Sequence, residues 1–190
     1  MIKAIIFDCY GVLVADGWQP FKAKYFGEDP ERMQQATDLN KQADSGLISN
    51  DDFEKAIAQL ADINPESARQ QIQSNPPNQI LFDYVKTLET NYKLGILSNA
   101  SASWLNKLLT PEQLALFDSS VLSYETGFVK PQPEAYELVA SQLGVLPSEC
   151  VFIDDQERHC TGAKEVGMQA ILYTDVAQTK ADLNQILQAS

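Results

Sequence analysis

The sequence predicts an α/β protein: a mainly parallel sheet with helices on both faces, interrupted after its first strand by a small helical insert. Three observations carry this. Short apolar runs at residues 4–7, 94–97, 150–153 and 170–173 have strand length and lack polar alternation, as strands buried on both faces do. From Gln79 onward these runs alternate with segments of helical periodicity, and strand, helix, strand in series implies parallel pairing. Between Ala15 and Asn78 no strand pattern occurs.

Taken in order, Ala4, Ile5, Ile6 and Phe7 form the first strand, followed at once by Asp8 and then by Gly11, which breaks the pattern. Open α/β sheets place reacting groups at such strand ends. An acid there is costly to bury unpartnered, so Asp8 reads either as a turn or capping residue or as a functional one. Residues 15–78 are polar and rich in Gln, Asp, Asn and Lys. Within them Phe53, Ile57 and Leu60 share one helix face. Ser49 precedes that helix as N-cap, with Asp51 and Asp52 in its first turn. Asp29-Pro30 and Asn64-Pro65 read as further helix starts. The stretch Asn75-Pro76-Pro77-Asn78 breaks helix and reads as a linker. This divides the chain into a core of residues 1–14 and 79–190 and an insert of residues 15–78; the plainer reading is that the insert's helices belong to the main body.

In the second part of the core, Ile80, Leu81, Tyr84, Val85 and Leu88 make an amphipathic helix. The strand at 94–97 ends on Ser98-Asn99. Residues 101–109 suit a helix, and Thr110-Pro111-Glu112 starts a shorter one. Residues 120–123 form a weak strand. The helix at 133–143 is closed by Gly144. The strand at 150–153 ends on Asp154-Asp155, the helix at 158–166 is closed by Gly167, and a strand at 170–173 and a helix at 180–187 complete the chain.

Composition narrows the function. Twenty-six acids against 14 bases leave a net charge of −12, without the basic footprint that a nucleic-acid surface needs. A phosphorylated small molecule stays admissible, because a metal and one lysine reverse the local field. No apolar run approaches the ~20 residues that cross a bilayer, and no signal peptide precedes the first strand, so a cytoplasmic protein is expected. Cys9, Cys150 and Cys160 are odd in number and fit no zinc spacing, which suits a reducing compartment. Cys9 reads as a buried structural cysteine or as a reactive thiol.

Four strand ends carry polar groups: Asp8, Ser98-Asn99, the loop to Lys130, and Asp154-Asp155. In a parallel sheet they fall along one edge, and together they make a site for an anion and a metal. These segments resemble the four motifs of the haloacid dehalogenase superfamily, hydrolases with an aspartate nucleophile. Phe7, Asp8, Gly11 and Leu13 match the first, Ser98 with Asn99 the second, Lys130-Pro131 the third, and Asp154-Asp155 with Gly162 and Gly167 the fourth. Each alone is weak; their ordered occurrence is specific, and they span most of the chain outside the insert.

The resemblance implies a Rossmann-like core carrying a helical cap of the C1 type, and an Mg²⁺-dependent phosphohydrolase acting on a small phosphorylated metabolite. Asp8 would attack phosphorus and form an aspartyl-phosphate. Asp8, the backbone carbonyl of Tyr10, and Asp154 or Asp155 would hold the metal through hard oxygens. Ser98, Asn99 and Lys130 would bind the phosphate, with Ser98 and Lys130 also serving catalysis. A monomer or weak homodimer is expected.

Tyr10 departs from the pattern. Family phosphatases carry there an aspartate that protonates the leaving oxygen and deprotonates the attacking water, help typically worth about 10²–10⁴-fold. A phenol of pKa about 10 replaces it poorly, which predicts a preference for acyl, aryl or anomeric sugar phosphates over alkyl ones. Some family members that lack this aspartate are still phosphatases, including ones that resemble the sugar-1-phosphate phosphatases in their Ser-Asn, Lys-Pro and Asp-Asp motifs. The 2-haloacid dehalogenases carry Asp-x-Tyr-Gly as in Asp8-Cys9-Tyr10-Gly11, but without paired acids in the fourth motif. Two further readings therefore stand beside the phosphatase: a dehalogenase, and a catalytically weak phosphate-binding or regulatory protein. Paired acids would repel each other without a cation between them, which favours the phosphatase. His159 reads as a loop brace or as a proton shuttle. Trp18, Phe21, Tyr25 and Phe26 read as insert core or substrate contacts, and Lys22, Lys24 and Arg32 as solvated surface or anion contacts.

Overall fold

The computed structural model describes residues 1–100 and 105–189. Five strands, β1 (Ala4–Phe7), β2 (Lys93–Ser98), β3 (Ser119–Leu122), β4 (Cys150–Asp154) and β5 (Gln169–Leu172), form one parallel sheet in the order β3-β2-β1-β4-β5. β1 is central, with Phe7 in register with Ile96 on one side and Ile153 on the other. This places the carboxyl ends of β1, β2 and β4 side by side.

Alternate side chains of each strand enter different apolar clusters. Ile5 and Phe7 pack with Leu94, Ile96, Val151 and Ile153 on one face. That face is covered by α5 (Gln79–Leu88) and α11 (Val176–Ala189), through Leu81, Val85 and Leu183. Ala4 and Ile6 pack with Leu97, Val121 and Phe152 on the other, under α9 (Pro133–Gln142) and α10 (Glu157–Glu165). Burial on both faces is why these strands read as unbroken apolar runs.

Residues 15–78 hold four helices: α1 (Trp18–Phe26), α2 (Pro30–Asp44), α3 (Asn50–Leu60) and α4 (Pro65–Ile72). The side chains of Asp29, Ser49 and Asn64 accept backbone N–H bonds at the starts of α2, α3 and α4. These helices gather an apolar cluster of their own around Phe21, Phe26, Phe53 and Ile57. The two connections to the sheet run together: Ala15 N–H donates to the Pro76 carbonyl at 2.9 Å, and Asn78 N–H to that of Leu13 at 2.9 Å. The Asn75–Asn78 stretch is therefore one half of a paired neck.

Several boundaries differ from the sequence expectation. Of the helix expected at 101–109, Leu105–Leu108 is helical (α6), and residues 101–104 lie outside the described residues. A short helix, Pro111–Leu114 (α7), starts from a reciprocal Thr110 and Gln113 cap. β3 ends before Ser123, whose hydroxyl instead accepts the Ala100 N–H as α8 (Ser123–Thr126) begins. α11 starts earlier than expected because Asp175 accepts the Gln178 N–H at 2.9 Å and caps an extra turn. No helix among the described residues is long and apolar enough to cross a membrane.

Candidate active site

Asp8 lies just past β1, and its backbone N–H donates to the Ile153 carbonyl at 2.8 Å, which fixes it against β4. Its Oδ1 accepts the Cys9 N–H at 2.7 Å and lies 2.8 Å from Lys130 Nζ. Oδ2 takes part in neither contact. Lys130 Nζ also lies 2.7 Å from Asp154 Oδ2, and the lysine is only 3 % exposed. The lysine is placed through its main chain: its N–H donates to Asn99 Oδ1 at 2.8 Å, and Asn99 Nδ2 donates to its carbonyl at 3.1 Å. Asn99 thus spends its carboxamide on positioning Lys130.

The paired acids are not equivalent. Asp154, the last residue of β4, is saturated by protein: besides Lys130 it accepts the Gln156 N–H at 2.8 Å and meets His159 Nδ1 at 3.0 Å. Asp155 turns the other way. Its Oδ1 is buried without a hydrogen-bond partner, and its Oδ2 lies 2.4 Å from the position a Cβ on Gly11 would occupy. Gly11 has φ +82°, a conformation that glycine adopts at little cost. The absent side chain is what lets the Asp155 carboxylate lie against the turn carrying Cys9 and Tyr10. Ser98 ends β2 with its Oγ buried and unpartnered.

Charge is scarce here. Burial raises the Asp8 pKa well above the carboxylate range, with Lys130 opposing and Asp154 adding to the rise. Burial also works against ionised Asp154, but the Lys130 charge and the His159 bond outweigh it and hold that carboxyl well down. Lys130 is likewise penalised by burial and restored above its ordinary value by Asp8 and Asp154. Asp155 is pushed up to about 6 by burial, then by Asp154 and Asp16. Burial lowers the His159 pKa, so the ring is neutral; facing an ionised carboxylate, Nδ1 carries its hydrogen, and Nε2 is buried without a partner. Cys9 is buried and its thiol is raised by burial and by Asp8, which makes it a structural cysteine.

Asp8, Tyr10, Ser98, Asn99, Lys130 and Asp155 line one cavity of about 800 Å³, and the helices of residues 15–78 supply its other wall. Asp154 stands behind that surface, reaching it through Lys130 and His159. Asp8, Asp154 and His159 each present a ligand atom within 4.8 Å of one another. Lys130 already bonds two of the three, however, and Asp154 has no oxygen to spare. The donors with capacity left are Asp8 and Asp155 beside the Cys9–Tyr10–Gly11 turn.

The aromatic and basic residues of the insert divide. Phe21 and Phe26 are core. Tyr25 bonds Gln71, while Trp18 packs on Phe21 and Phe53 and also lines the cavity. Lys22 lines the cavity, Lys24 bonds Gln71 at the surface, and Arg32 bonds the Leu60 carbonyl. Asp16 and Asp44 also face the cavity and escaped the sequence reading. For Asp44 a signal existed: it is the last residue of α2, where the helix dipole disfavours an acid.

The model of the haloacid dehalogenase-like hydrolase family matches residues 2–167. The chain belongs to this family. It is 26 % identical over 204 residues to the D-ribitol-5-phosphate phosphatase of Bacteroides thetaiotaomicron, covering 98 % of this chain and 99 % of that protein. It is 26 % identical over 196 residues to the (S)-2-haloacid dehalogenase of Xanthobacter autotrophicus, covering 94 % and 77 %. The crystal structure of a family enzyme from B. thetaiotaomicron in complex with magnesium and inorganic phosphate superposes with a TM-score of 0.69 at 27 % identity, over 93 % of this chain and 96 % of that one. As in other haloacid dehalogenase-like hydrolases, the fold is a Rossmann-like parallel sheet with flanking helices.

Proposed function

We propose that this hydrolase is an Mg²⁺-dependent phosphatase of a small phosphorylated metabolite, with Asp8 as covalent nucleophile. The observation that carries the reading is the charge deficit at the sheet edge. Asp8 and Asp154 share the Lys130 ammonium, and beside them an Asp155 oxygen is buried with no partner. An unpaired, part-buried carboxylate is costly, and oxygen donors of this kind suit a hard divalent cation. Asp8, Asp155 and the backbone carbonyl of Tyr10 would hold Mg²⁺, which when bound supplies the positive charge that lets a carboxylate approach a phosphate.

The chain's own groups then have defined tasks. Asp8 attacks phosphorus and carries the phosphoryl group until water releases it. Lys130 pairs with Asp8 and with the transferring group, and Asp154 keeps that ammonium charged and in place. Ser98 donates its otherwise unused hydroxyl to a phosphate oxygen. Helices α1–α4, with their own apolar cluster and paired neck, act as a cap that limits the substrate to small metabolites. Full-length similarity to a sugar-alcohol phosphate phosphatase supports this class of substrate.

The second reading, a 2-haloacid dehalogenase, is favoured by Tyr10 and by similarity to the Xanthobacter enzyme. Halide displacement leaves the free Asp155 oxygen without a purpose. The deciding experiment measures phosphate release over a panel of sugar and polyol phosphates, and halide release from 2-haloacids, each with Mg²⁺ and with EDTA. Mg²⁺-restored phosphate release is expected. Halide release indifferent to EDTA would replace the reading, and a folded protein inactive in both assays would leave a binding role.

A further inference from the structure

We propose that three residues on the cavity face of α2, Thr37, Asn40 and Asp44, select an uncharged leaving group rich in hydroxyls. The inference rests on the phosphatase reading above and names the chemical class of what that enzyme releases. With phosphate held by Ser98 and Lys130 over Asp8, the rest of a substrate lies toward the cavity's other wall, which the insert supplies. At about 800 Å³ the cavity has room for several carbons beyond the phosphate.

α2 meets that space with one stripe. Thr37, Asn40, Lys41, Asp44 and Ser45 all line the cavity, and residues three and four apart share a helix face. Ala36 and Ala43 of the same helix belong instead to the insert's apolar cluster. The stripe is rich in acceptors because its hydrogens are spent inside the helix. The Thr37 hydroxyl donates to the Met33 carbonyl at 2.8 Å, and that of Ser45 to the Lys41 carbonyl at 2.7 Å. A hydroxyl has one hydrogen and two lone pairs, so both can now only accept. Asn40 Nδ2 donates to Asp44 Oδ2 at 2.9 Å. The carbonyl oxygen of Asn40 and Oδ1 of Asp44 make no hydrogen bond among the described residues. Burial raises the Asp44 carboxyl to about 6, so at pH 7.5 it too accepts only.

Charge argues against a second anion on the substrate. Each cation lining the cavity has an acid to answer it. Lys22 stands in the field of Asp16, and Arg158 in that of Asp44. Lys41 lies 3.6 Å from Asp38, and Lys130 is shared by Asp8 and Asp154. No surplus positive charge is left on the insert wall for a carboxylate or a further phosphate.

A polyhydroxylated group fits both constraints. Its O–H groups donate to the lone pairs of the stripe, and its C–H groups meet Trp18 and Phe53, which also line the cavity. An alkyl chain of the same length would displace water from these acceptors and leave them unpaired, which is the costly case. Sites built to bond a substrate hydroxyl therefore reject the analogue that lacks it.

The test measures kcat/KM of the full chain with Mg²⁺ at pH 7.5. The esters are a pentitol phosphate and an anomeric hexose phosphate, pentyl phosphate without hydroxyls, and a pentonate phosphate with a carboxylate at its far end. Wild type should favour the better hydroxylated ester over the pentyl and pentonate esters by about tenfold or more, and which one leads tells a chain from a ring. Thr37→Val removes an acceptor, and Asp44→Asn turns one into a donor. Each variant is read as the ratio of its activity on that ester to its activity on nitrophenyl phosphate, so a poorly folded fraction cancels. The ratio should fall several-fold for Thr37→Val and about tenfold or more for Asp44→Asn. Equal losses on both esters, no loss, or a wild type that favours the pentyl or pentonate ester would overturn the assignment, while its phosphate release keeps the phosphatase reading. A wild type that releases no phosphate from any ester would overturn both.

Discussion

Asp8 and Asp154 are held by one buried ammonium, so removing either carboxylate changes chemistry and packing by different amounts. Asp8→Asn keeps the shape and leaves Lys130 its 2.7 Å contact with Asp154. Turnover should fall to background while the thermal midpoint moves by only a few degrees; substantial remaining phosphate release would remove Asp8 as nucleophile. Gly11→Ala would place a methyl group 2.4 Å from Asp155 Oδ2, at φ +82°. Left-handed backbone at a non-glycine residue costs roughly 1–2 kcal/mol, and the displaced carboxylate should weaken Mg²⁺ activation by at least about tenfold. An unchanged Mg²⁺ requirement would show that Asp155 does not serve the metal. Tyr10→Phe removes only a hydroxyl that burial already keeps protonated. It should change turnover by no more than a few fold, and a collapse of activity would give the hydroxyl a direct role.

Among the elements, the neck joining insert and core is the most exposed to test. Asn78 caps α5 by accepting the Leu81 N–H at 3.2 Å, and its Nδ2 reaches Tyr173 Oη at 2.8 Å. Loss of such a cap costs about 1 kcal/mol, and the cross-link adds about as much again. Asn78→Ala should therefore lower stability by roughly 2 kcal/mol in denaturant titration, and an effect under a few tenths would mean the neck is held by its backbone bonds alone. Helix starts in the insert were legible because a cap is a local device: Asp29, Ser49 and Asn64 each bond an amide two or three residues on. The start of α1 was not legible. Its cap comes from Asp16 across Gly17, whose missing side chain admits the Ile72 carbonyl from the far end of the insert.

For the whole molecule, pH and metal should act together. Asp155 is raised to about 6 in the metal-free fold, against about 3.9 when unfolded. The folded state thus binds this proton more tightly. Its contribution to stability is complete below pH about 4 and is lost as pH rises through 6. A cation at Asp155 competes with that proton, so Mg²⁺ should raise the melting temperature more at pH 7.5 than at pH 5. Equal shifts at the two pH values would dissociate Asp155 from metal binding.

The order of elements, the family, and the identities of Asp8, Ser98, Lys130 and the acid pair are determined by sequence alone, because apolar period, caps and ordered motifs are properties of short segments. Cys9 could be placed only by its burial, and the insert's aromatics only by the cluster they join. The division of labour between Asp154 and Asp155 was decided by distances to Lys130, His159 and Gly11, all remote in the chain or turned by the strand end. The same holds for Asn99, adjacent to Ser98 in sequence yet clamped to the Lys130 main chain. Asp44 lines the cavity at the end of α2, which the Ser123 hydroxyl ties to the core from far along the chain. Local pattern records what a residue is; which oxygen stays free depends on every neighbour that folding brings to it.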